Sequence, residues 1–209
     1  MFSENRIYLA SRSPRRRELL KQIGIKYSVL KMREAVDRVI DVDEQPYDSE
    51  IPTDYIYRIT HTKATEGWKR IIQRRLPIYP VLTADTIVTI DGCILGKPKN
   101  NEHAEVMLRA LSGRSHYVLT AIAVCIQDNV QMRLSTSTVR FRDISELEIR
   151  NYLASNYILD KAGAYAIQGV AAIFIADIVG SYSGIMGLPL FETSQLLQEI
   201  GMEILYKNP

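Results

Sequence analysis

The strongest constraint on the fold comes from residues 81–95, where a run of β-branched residues meets a tight turn. The run Val-Leu-Thr-Ala-Asp-Thr-Ile-Val-Thr-Ile over 81–90 predicts a buried strand, and Cys-Ile-Leu over 93–95 predicts its return. Between them lies Asp91-Gly92, a residue pair that favours the two-residue turns of β-hairpins. A hairpin pairs its strands antiparallel, so the sheet that contains this segment cannot be purely parallel.

Helix and strand patterns alternate along the rest of the chain. A second hairpin is predicted where strand patterns over 116–127 and 130–141 flank Asp128-Asn129. The remaining patterns predict helices over 14–23, 53–75, 101–112 and 145–154 and from 191 onward, strands over 7–10 and 25–30, and a strand-rich segment over 162–186. No repeat or linker divides the chain. We therefore predict an α/β fold, a mixed β-sheet with flanking helices, in a single domain over 1–209.

The composition narrows the class of protein. The chain has 209 residues and a net charge of only +2, which argues against a dedicated nucleic-acid coat or a membrane-surface protein. Cys93 and Cys125 have no paired or metal-like spacing, which indicates a reducing compartment, and the isolated histidines form no zinc pattern. The N-terminus lacks a signal-peptide core, and the apolar stretch 162–190 is interrupted by polar residues, glycines and a proline. We expect a cytoplasmic protein with no membrane partner.

A basic turn, Ala-Ser-Arg-Ser-Pro-Arg-Arg-Arg over 10–17, lies where a strand leads into a helix. Free backbone N–H groups and the helix dipole attract anions at such a point, whereas each cation there costs about 0.3–1 kcal/mol. A bound polyphosphate would explain Arg15 and Arg16 in the first turn, and Ser11 and Ser13 could add hydroxyl donors. The alternative is a capped surface helix whose arginines point to solvent. The turn is no Walker A motif.

An acidic residue interrupts the apolar strand pattern. Asp85 lies in the middle of 81–90, where aspartate is disfavoured and an unpaired buried carboxylate is costly. Such a carboxylate suits a metal ligand or a general base, and the alternative is a bulge or strand end where it caps a turn. Lys97 follows one hairpin later, so a cation could return close to Asp85, although a lysine at a strand end is usually solvated.

An acidic run precedes Gln45-Pro46. Asp41, Asp43 and Glu44 could together hold Mg²⁺ beside substrate phosphates, or they could form a solvated loop. Lys63, in the long helix pattern that follows, is by itself typical of a surface lysine.

Two polar residues stand in the apolar segment 159–169. Lys161 and Gln168 are surrounded by apolar and small residues. A glutamine amide offers both a donor and an acceptor, which suits binding to the edge of a nucleotide base. The alternative is a buried glutamine that satisfies its own backbone.

Together these motifs resemble the Maf family of nucleotide pyrophosphatases. The matching pieces occur in family order: LASRSPRR at 9–16, Asp43-Glu44, Tyr55 with Arg58, Lys63-Ala64, ADTI at 84–87, GKP at 96–98, LSG at 111–113, DKAGAY at 160–165, IQG at 167–169 and GLPL at 187–190. The resemblance implies a Maf/ITPase-like fold with two lobes around a central cleft. It also implies cleavage between the α and β phosphates of a nucleotide, a divalent cation (Mg²⁺ or Mn²⁺) and a homodimer.

The resemblance also implies roles for individual residues. Asp85 is the implied proton acceptor that activates water, and Glu44 and Asp85 are the implied metal ligands. The implied phosphate and substrate contacts are Ser11, Ser13, Arg15, Arg16, Lys63, Lys97 and Lys161. One departure concerns Thr62, which stands where the family commonly has a glutamate before the helix lysine.

Three positions are implied to set the choice of base. The subfamily that acts on 7-methyl-GTP has tryptophan after the Ser-Pro, glutamine after the aspartate and a later Ser-Glu-Gly. This chain has Arg15, Thr86 and Gln168 there, which is similar to the subfamily acting on dTTP, UTP and modified pyrimidine triphosphates. We expect a small-molecule nucleotide substrate and no nucleic acid. The alternatives are a 7-methyl-GTP pyrophosphatase and a non-catalytic nucleotide- or nucleic-acid-binding regulator of division.

Overall fold

A computed structural model describes residues 5–32, 42–155 and 158–204. The acidic residue Asp41 and most of the charged segment before it lie outside these described residues.

Seven strands and six helices make up the described parts of the chain. In chain order they are β1 (Arg6–Leu9), α1 (Pro14–Gln22), β2 (Lys26–Val29), α2 (Pro52–Gln73), β3 (Val81–Ile90), β4 (Cys93–Leu95), α3 (Asn101–Leu111), β5 (Ser115–Ile126), β6 (Asn129–Phe141), α4 (Glu146–Ser155), β7 (Ile175–Val179), α5 (Tyr182–Met186) and α6 (Leu190–Glu199). Two short 3₁₀ turns, Ala162–Ala164 and Val170–Phe174, lie between α4 and β7. None of the described helices combines the length and apolarity needed to cross a bilayer.

Locally encoded elements form where the sequence predicts them. Both hairpins are present, with β3 paired to β4 and β5 paired to β6 in antiparallel register. The second hairpin turns at Gln127-Asp128, one residue before the predicted Asp128-Asn129, because Ile126 pairs with Asn129. The capping box of α4 closes as expected, because the Ser145 backbone N–H donates to Glu148 Oε2 at 2.9 Å and the Glu148 N–H donates to Ser145 Oγ at 3.3 Å.

The prediction of a strand-rich segment over 162–186 is wrong. This segment holds two 3₁₀ turns, one strand and one short helix. One cause is Gly163, whose φ of +66° breaks an extended chain, and whose Cα lies so close to β3 that an added Cβ would stand 3.0 Å from Val88. The segment therefore crosses tightly over β3 instead of extending the sheet.

The sheet is mixed, with the order β2-β1-β3-β5-β6-β7 and β4 attached to β3. β1 pairs parallel with β2 and β3, and the other described pairs are antiparallel. β1 covers only the start of β3 (Leu9 beside Leu82), and β4 covers only its end (Leu95 beside Val88), so the edge of β3 between Leu82 and Val88 has no strand partner among the described residues. The mixed sheet with flanking helices is confirmed. The division into two lobes and the single-domain extent stay predictions.

Alternating side chains of β3 face two separate parts of the core. Ile87 packs with Ile56 and Ile59 of α2 on one face, whereas Leu82 and Ala84 pack with residues of α1 and α6 on the other. Burial of one large apolar side chain contributes about 1.5–3 kcal/mol to the stability of the fold, so the packing on both faces holds β3 firmly in place. Neighbouring residues of this strand consequently point to opposite sides of the sheet.

Candidate active site

A cavity of about 1210 Å³ opens along the uncovered edge of β3. We call it the cleft, and its walls come chiefly from within segments 10–16, 42–46, 84–88, 160–169 and 185–187. This volume suits a ligand of nucleotide size. Every predicted catalytic, substrate and metal residue lies on its walls: Ser11, Ser13, Arg15, Arg16, Glu44, Lys63, Asp85, Thr86, Lys97, Lys161 and Gln168.

The uncovered edge also brings backbone groups into the cleft. The Ala10 N–H donates to the Leu82 carbonyl at 3.0 Å, so the backbone groups of Leu82 face β1. Because strand residues alternate, the N–H and C=O groups of Ala84 and Thr86 face the uncovered edge. The cleft therefore has polar backbone groups beside the Asp85 side chain.

A lysine joins the two carboxylates on one wall. Lys63 Nζ lies 2.8 Å from Glu44 Oε1 and 3.3 Å from Asp85 Oδ2. The Lys63 and Asp85 side chains are only 16% and 18% exposed, so neither is an ordinary surface group. Asp85 sits in mid-strand opposite Ala121, which rules out the strand-end alternative. The two carboxylates outnumber the lysine, and the trio keeps a net negative charge.

This carboxylate pair fits a divalent cation. Mg²⁺ is usually held by one or two carboxylates together with substrate phosphates and water. Glu44 and Asp85 offer two such groups, held near each other by Lys63. Within the described ranges no cluster of three or more His, Cys, Asp or Glu residues forms a protein-only cage. A metal here would therefore take its remaining oxygen ligands from the substrate or from water.

The acidic loop, residues 42–50, is fastened to α2. Arg58 donates from Nε and Nη2 to the two carboxylate oxygens of Glu50 at 2.6 Å each, and from Nη2 to the Gln45 carbonyl at 3.0 Å. The Tyr55 hydroxyl donates to the Glu44 carbonyl at 3.0 Å. Burial, and then the nearby Asp85 and Glu44 charges, raise the pKa of Tyr55 to about 12, so this donor stays protonated. Thr62 does not help to fasten the acidic loop, because its hydroxyl donates to the Arg58 carbonyl within α2 at 2.8 Å.

The basic turn leaves the start of α1 open to an anion. Ser13 is the N-cap of α1 but makes no side-chain capping bond, and Pro14 occupies the first turn. The Ser13 N–H instead donates to Ser11 Oγ at 3.2 Å, which shapes the turn. The helix N-terminus therefore keeps donors for an anion in the cleft.

Arg16 is built into the wall and does not point to solvent. Its Nε donates to the Gly187 carbonyl at 2.7 Å, Nη1 to Ser11 Oγ at 3.1 Å, and Nη2 to Thr86 Oγ1 at 3.1 Å. Burial lowers the pKa of the guanidinium while the nearby Asp85 charge raises it, and an arginine in a protein stays charged. Arg16 thus ties the basic turn to β3, and only its remaining N–H groups can reach a ligand.

The facing wall carries the more accessible polar residues. Lys97 and Gln168 are exposed, and Lys161 pairs with its neighbour Asp160 at 2.5 Å. Gln168 lies in a turn and makes no side-chain hydrogen bond to any other residue of the described ranges, so the alternative of a buried glutamine is wrong. Its amide is free for a ligand.

One residue that supports this site from behind could not be predicted from the sequence. Thr120, fully buried in β5, lies opposite Thr86 and bonds to its hydroxyl at 3.0 Å. A threonine in a strand is common, so only the register of the two strands could have revealed this contact.

Comparison with known proteins identifies relatives of this chain. Residues 6–200 match the family described as Maf-like protein. A Nitrosomonas europaea protein named dTTP/UTP pyrophosphatase is 62% identical over 200 residues, 96% of this chain and 97% of that protein. A protein of the same name from Nitrosospira multiformis is 58% identical over 203 residues, 97% of this chain and 98% of that protein.

A solved structure of the Staphylococcus aureus Ham1 protein is similar over 66% of this chain and 72% of that chain, with 18% identity and a TM-score of 0.42. The family match extends over almost the whole chain, and relatives share more than half of its residues. The chain therefore belongs to the Maf-like protein family.

Proposed function

We propose that this protein is a nucleoside triphosphate pyrophosphatase that hydrolyses dTTP and UTP to the monophosphate and pyrophosphate. The observation that carries the proposal is the cleft itself, where the Asp85–Lys63–Glu44 trio shares one cavity with the basic turn. The names of the Nitrosomonas and Nitrosospira relatives supply the substrate class.

The positive groups of the cleft bind the polyphosphate. Arg15, Lys97 and Lys161 lie on its walls, and the uncapped start of α1 adds backbone donors. These groups stabilise the charge that moves onto the leaving pyrophosphate as the bridging bond breaks. The base then lies toward Thr86 and Gln168, whose polar atoms form hydrogen bonds with its edge.

Asp85 accepts the proton of the attacking water. The water oxygen forms a bond to one of the phosphorus atoms that flank the α,β-bridging oxygen, the bond from phosphorus to that oxygen breaks, and pyrophosphate and the monophosphate separate. Lys63 holds the Asp85 carboxylate in place through their 3.3 Å contact. A divalent cation, Mg²⁺ or Mn²⁺, bound through Glu44 and Asp85 would neutralise phosphate charge and lower the pKa of bound water.

A substrate panel tests the activity. Pyrophosphate release is measured from dTTP, UTP, CTP and 7-methyl-GTP, each with Mg²⁺ and with a chelator. We expect dTTP and UTP to be preferred and the chelator to stop the reaction. A preference for 7-methyl-GTP contradicts the assigned base. Absence of hydrolysis, together with DNA binding that weakens steeply with salt, indicates the non-catalytic regulator instead.

Asp85→Asn tests the catalytic role. This variant keeps the side-chain shape but removes the proton acceptor, and pyrophosphate release is expected to fall about 10²–10⁴-fold. Asp177→Asn is the matched control, because Asp177 is also a strand aspartate but is exposed on β7 outside the cleft. Near-normal turnover by Asp85→Asn shows that another group takes the proton.

The homodimer rests on the family resemblance, whereas the cytoplasmic location and the lack of a nucleic-acid or membrane partner rest on the cysteine usage and the low net charge. The protein is a cytoplasmic homodimer with no nucleic-acid or membrane partner. Light scattering should give twice the chain mass of 23.8 kDa. The mass of one chain contradicts the dimer.

A further inference from the structure

One positive side chain bridges the two carboxylates of the cleft. Lys63 Nζ lies 2.8 Å from Glu44 Oε1 and 3.3 Å from Asp85 Oδ2, and it has no other partner among the described residues. The Lys63 side chain is 16% exposed, so water does little to replace these contacts. The ammonium therefore depends on the two carboxylates for its compensating charge.

The same pair of carboxylates is what a divalent cation would use. Mg²⁺ binds to one or two carboxylates in such sites. The other acidic residues on the cleft walls are engaged elsewhere, because Asp43 accepts from the Gln45 N–H at 3.0 Å and Asp160 pairs with Lys161. An ammonium that stayed on the carboxylates would repel a divalent ion, since charges about 4 Å apart interact appreciably even in water.

A second cation lies near the carboxylates but is fixed in place. Arg16 is close enough to feel the charges of both carboxylates. Its guanidinium is held by three hydrogen bonds to other groups of the cleft wall. Lys63 has no such bonds, and it carries its charge on a flexible four-carbon stem. Of these two cations, only Lys63 is therefore able to give way.

We infer that Lys63 competes with the divalent cation, because its ammonium occupies the Glu44–Asp85 pair in the free protein and leaves it when the cation binds. This inference rests on the proposed function for the presence of that cation. Before the cation binds, Lys63 holds the two carboxylates in place and neutralises part of their charge. After release, its ammonium remains on the wall of the cleft, where it neutralises substrate phosphate. The free protein consequently binds metal weakly.

Manganese binding to the free protein tests this competition. Electron paramagnetic resonance measures unbound Mn²⁺, with no nucleotide present, for the unaltered protein and for Lys63→Met. Methionine keeps an unbranched, flexible side chain without the charge. We expect Lys63→Met to bind Mn²⁺ about tenfold more tightly, because the repulsion from the ammonium is lost. Equal or weaker binding by Lys63→Met overturns the inference, and so does the absence of Mn²⁺ binding by both proteins.

Two control variants separate local competition from the general charge of the cleft. Lys97→Met removes an exposed positive charge from the same cleft, and Lys97 contacts neither carboxylate. Its Mn²⁺ affinity should change by less than about threefold, because water and salt screen the more distant exposed charge. Lys63→Arg keeps the charge and should bind Mn²⁺ about as weakly as the unaltered protein. A gain in either control equal to that in Lys63→Met contradicts the inference.

An NMR titration follows the lysine in the unaltered protein, so this test does not depend on the folding of a variant. The protein carries ¹³C-labelled lysine, the ε-methylene signals of Lys63 and Lys97 are assigned through their backbones, and Mg²⁺ is added without nucleotide. The Lys63 signal should move as Mg²⁺ binds, whereas the Lys97 signal should stay. A Lys63 signal that does not move at saturating Mg²⁺ overturns the inference.

The proposed function and this inference fail in different experiments. If the unaltered protein hydrolyses neither dTTP nor UTP, the proposed function is refuted. The Mn²⁺ and NMR measurements need no turnover, so they still decide whether Lys63 and the cation compete.

Discussion

The buried histidine His116 predicts how the stability of this protein depends on pH. His116 is 1% exposed on β5, and its Nε2 lies 2.8 Å from the Tyr165 hydroxyl. Its Nδ1 is buried and has no hydrogen-bond partner among the described residues. The edges and faces of Phe141 and Tyr165 surround the ring. In a charged imidazole the Nδ1 proton would find no acceptor among the described residues.

Burial lowers the pKa of His116 from 6.5 to about 4. The unfolded chain therefore binds this proton more tightly than the folded chain. The resulting stability is fully present above pH 6.5 and is lost as the pH falls toward 4. One pKa unit corresponds to about 1.4 kcal/mol, so the total loss is about 3 kcal/mol, of which about 2 kcal/mol is lost by pH 5.

Urea unfolding between pH 8 and pH 4.5 measures this loss. His116→Gln removes the titrating group and keeps a side chain that can bond to Tyr165. The difference in unfolding free energy between the two proteins should shrink by about 2 kcal/mol between pH 8 and pH 5, because acid destabilises only the protein that carries the histidine. Other acidic groups titrate alike in both proteins and cancel in this comparison. Glu148 is one of them, and its ion pair with Arg142 and hydrogen bonds with Ser145 lower its pKa to about 2. Parallel pH profiles for the two proteins would refute the reasoning.

Two further predictions concern the support of the cleft. Arg58→Ala frees the acidic loop from α2. It should raise the metal concentration for half-maximal activity about tenfold and lower the metal affinity, measured by Mn²⁺ resonance titration, by about the same factor. Arg133→Ala, which removes the exposed pair with Glu199, is its control, and equal shifts in both variants contradict the anchoring role. Gly187→Ala should lose about 1–3 kcal/mol of stability from its φ of +113° and also lower kcat/KM, because relief of this backbone strain would move the Gly187 carbonyl that accepts from Arg16 Nε. Gly201→Ala shares a positive φ, but Gly201 does not line the cleft, so activity should stay normal, and a matching loss of kcat/KM there would disprove the role of the Arg16 contact.

The extent to which the sequence predicted the fold follows from how local each signal is. The β3–β4 hairpin and the α4 capping box depend on residues only a few positions apart, and both formed within a residue of their predicted bounds. The segment 162–186 was mispredicted because its path depends on a close approach to β3 that no local pattern records.

The candidate site divides in the same way. Asp85 could be singled out from the sequence because a carboxylate inside an apolar strand is unusual. Its partner Lys63 is by itself typical of a surface lysine, and only the family resemblance implied a role for it, because the contact joins residues on different elements, α2 and β3. The wall position of Arg16 and the buried hydroxyl of Thr120 depend on three-dimensional contacts between distant segments, and the sequence gives no sign of either.

The products formed from UTP test the central claim most directly. Phosphorus NMR of UTP incubated with the protein and Mg²⁺ distinguishes cleavage at the α,β bond from cleavage at the β,γ bond. If the basic turn binds the polyphosphate and the Asp85–Lys63–Glu44 trio activates the water, UMP and pyrophosphate are the only initial products. The appearance of UDP and inorganic phosphate, or the persistence of intact UTP, would contradict the account.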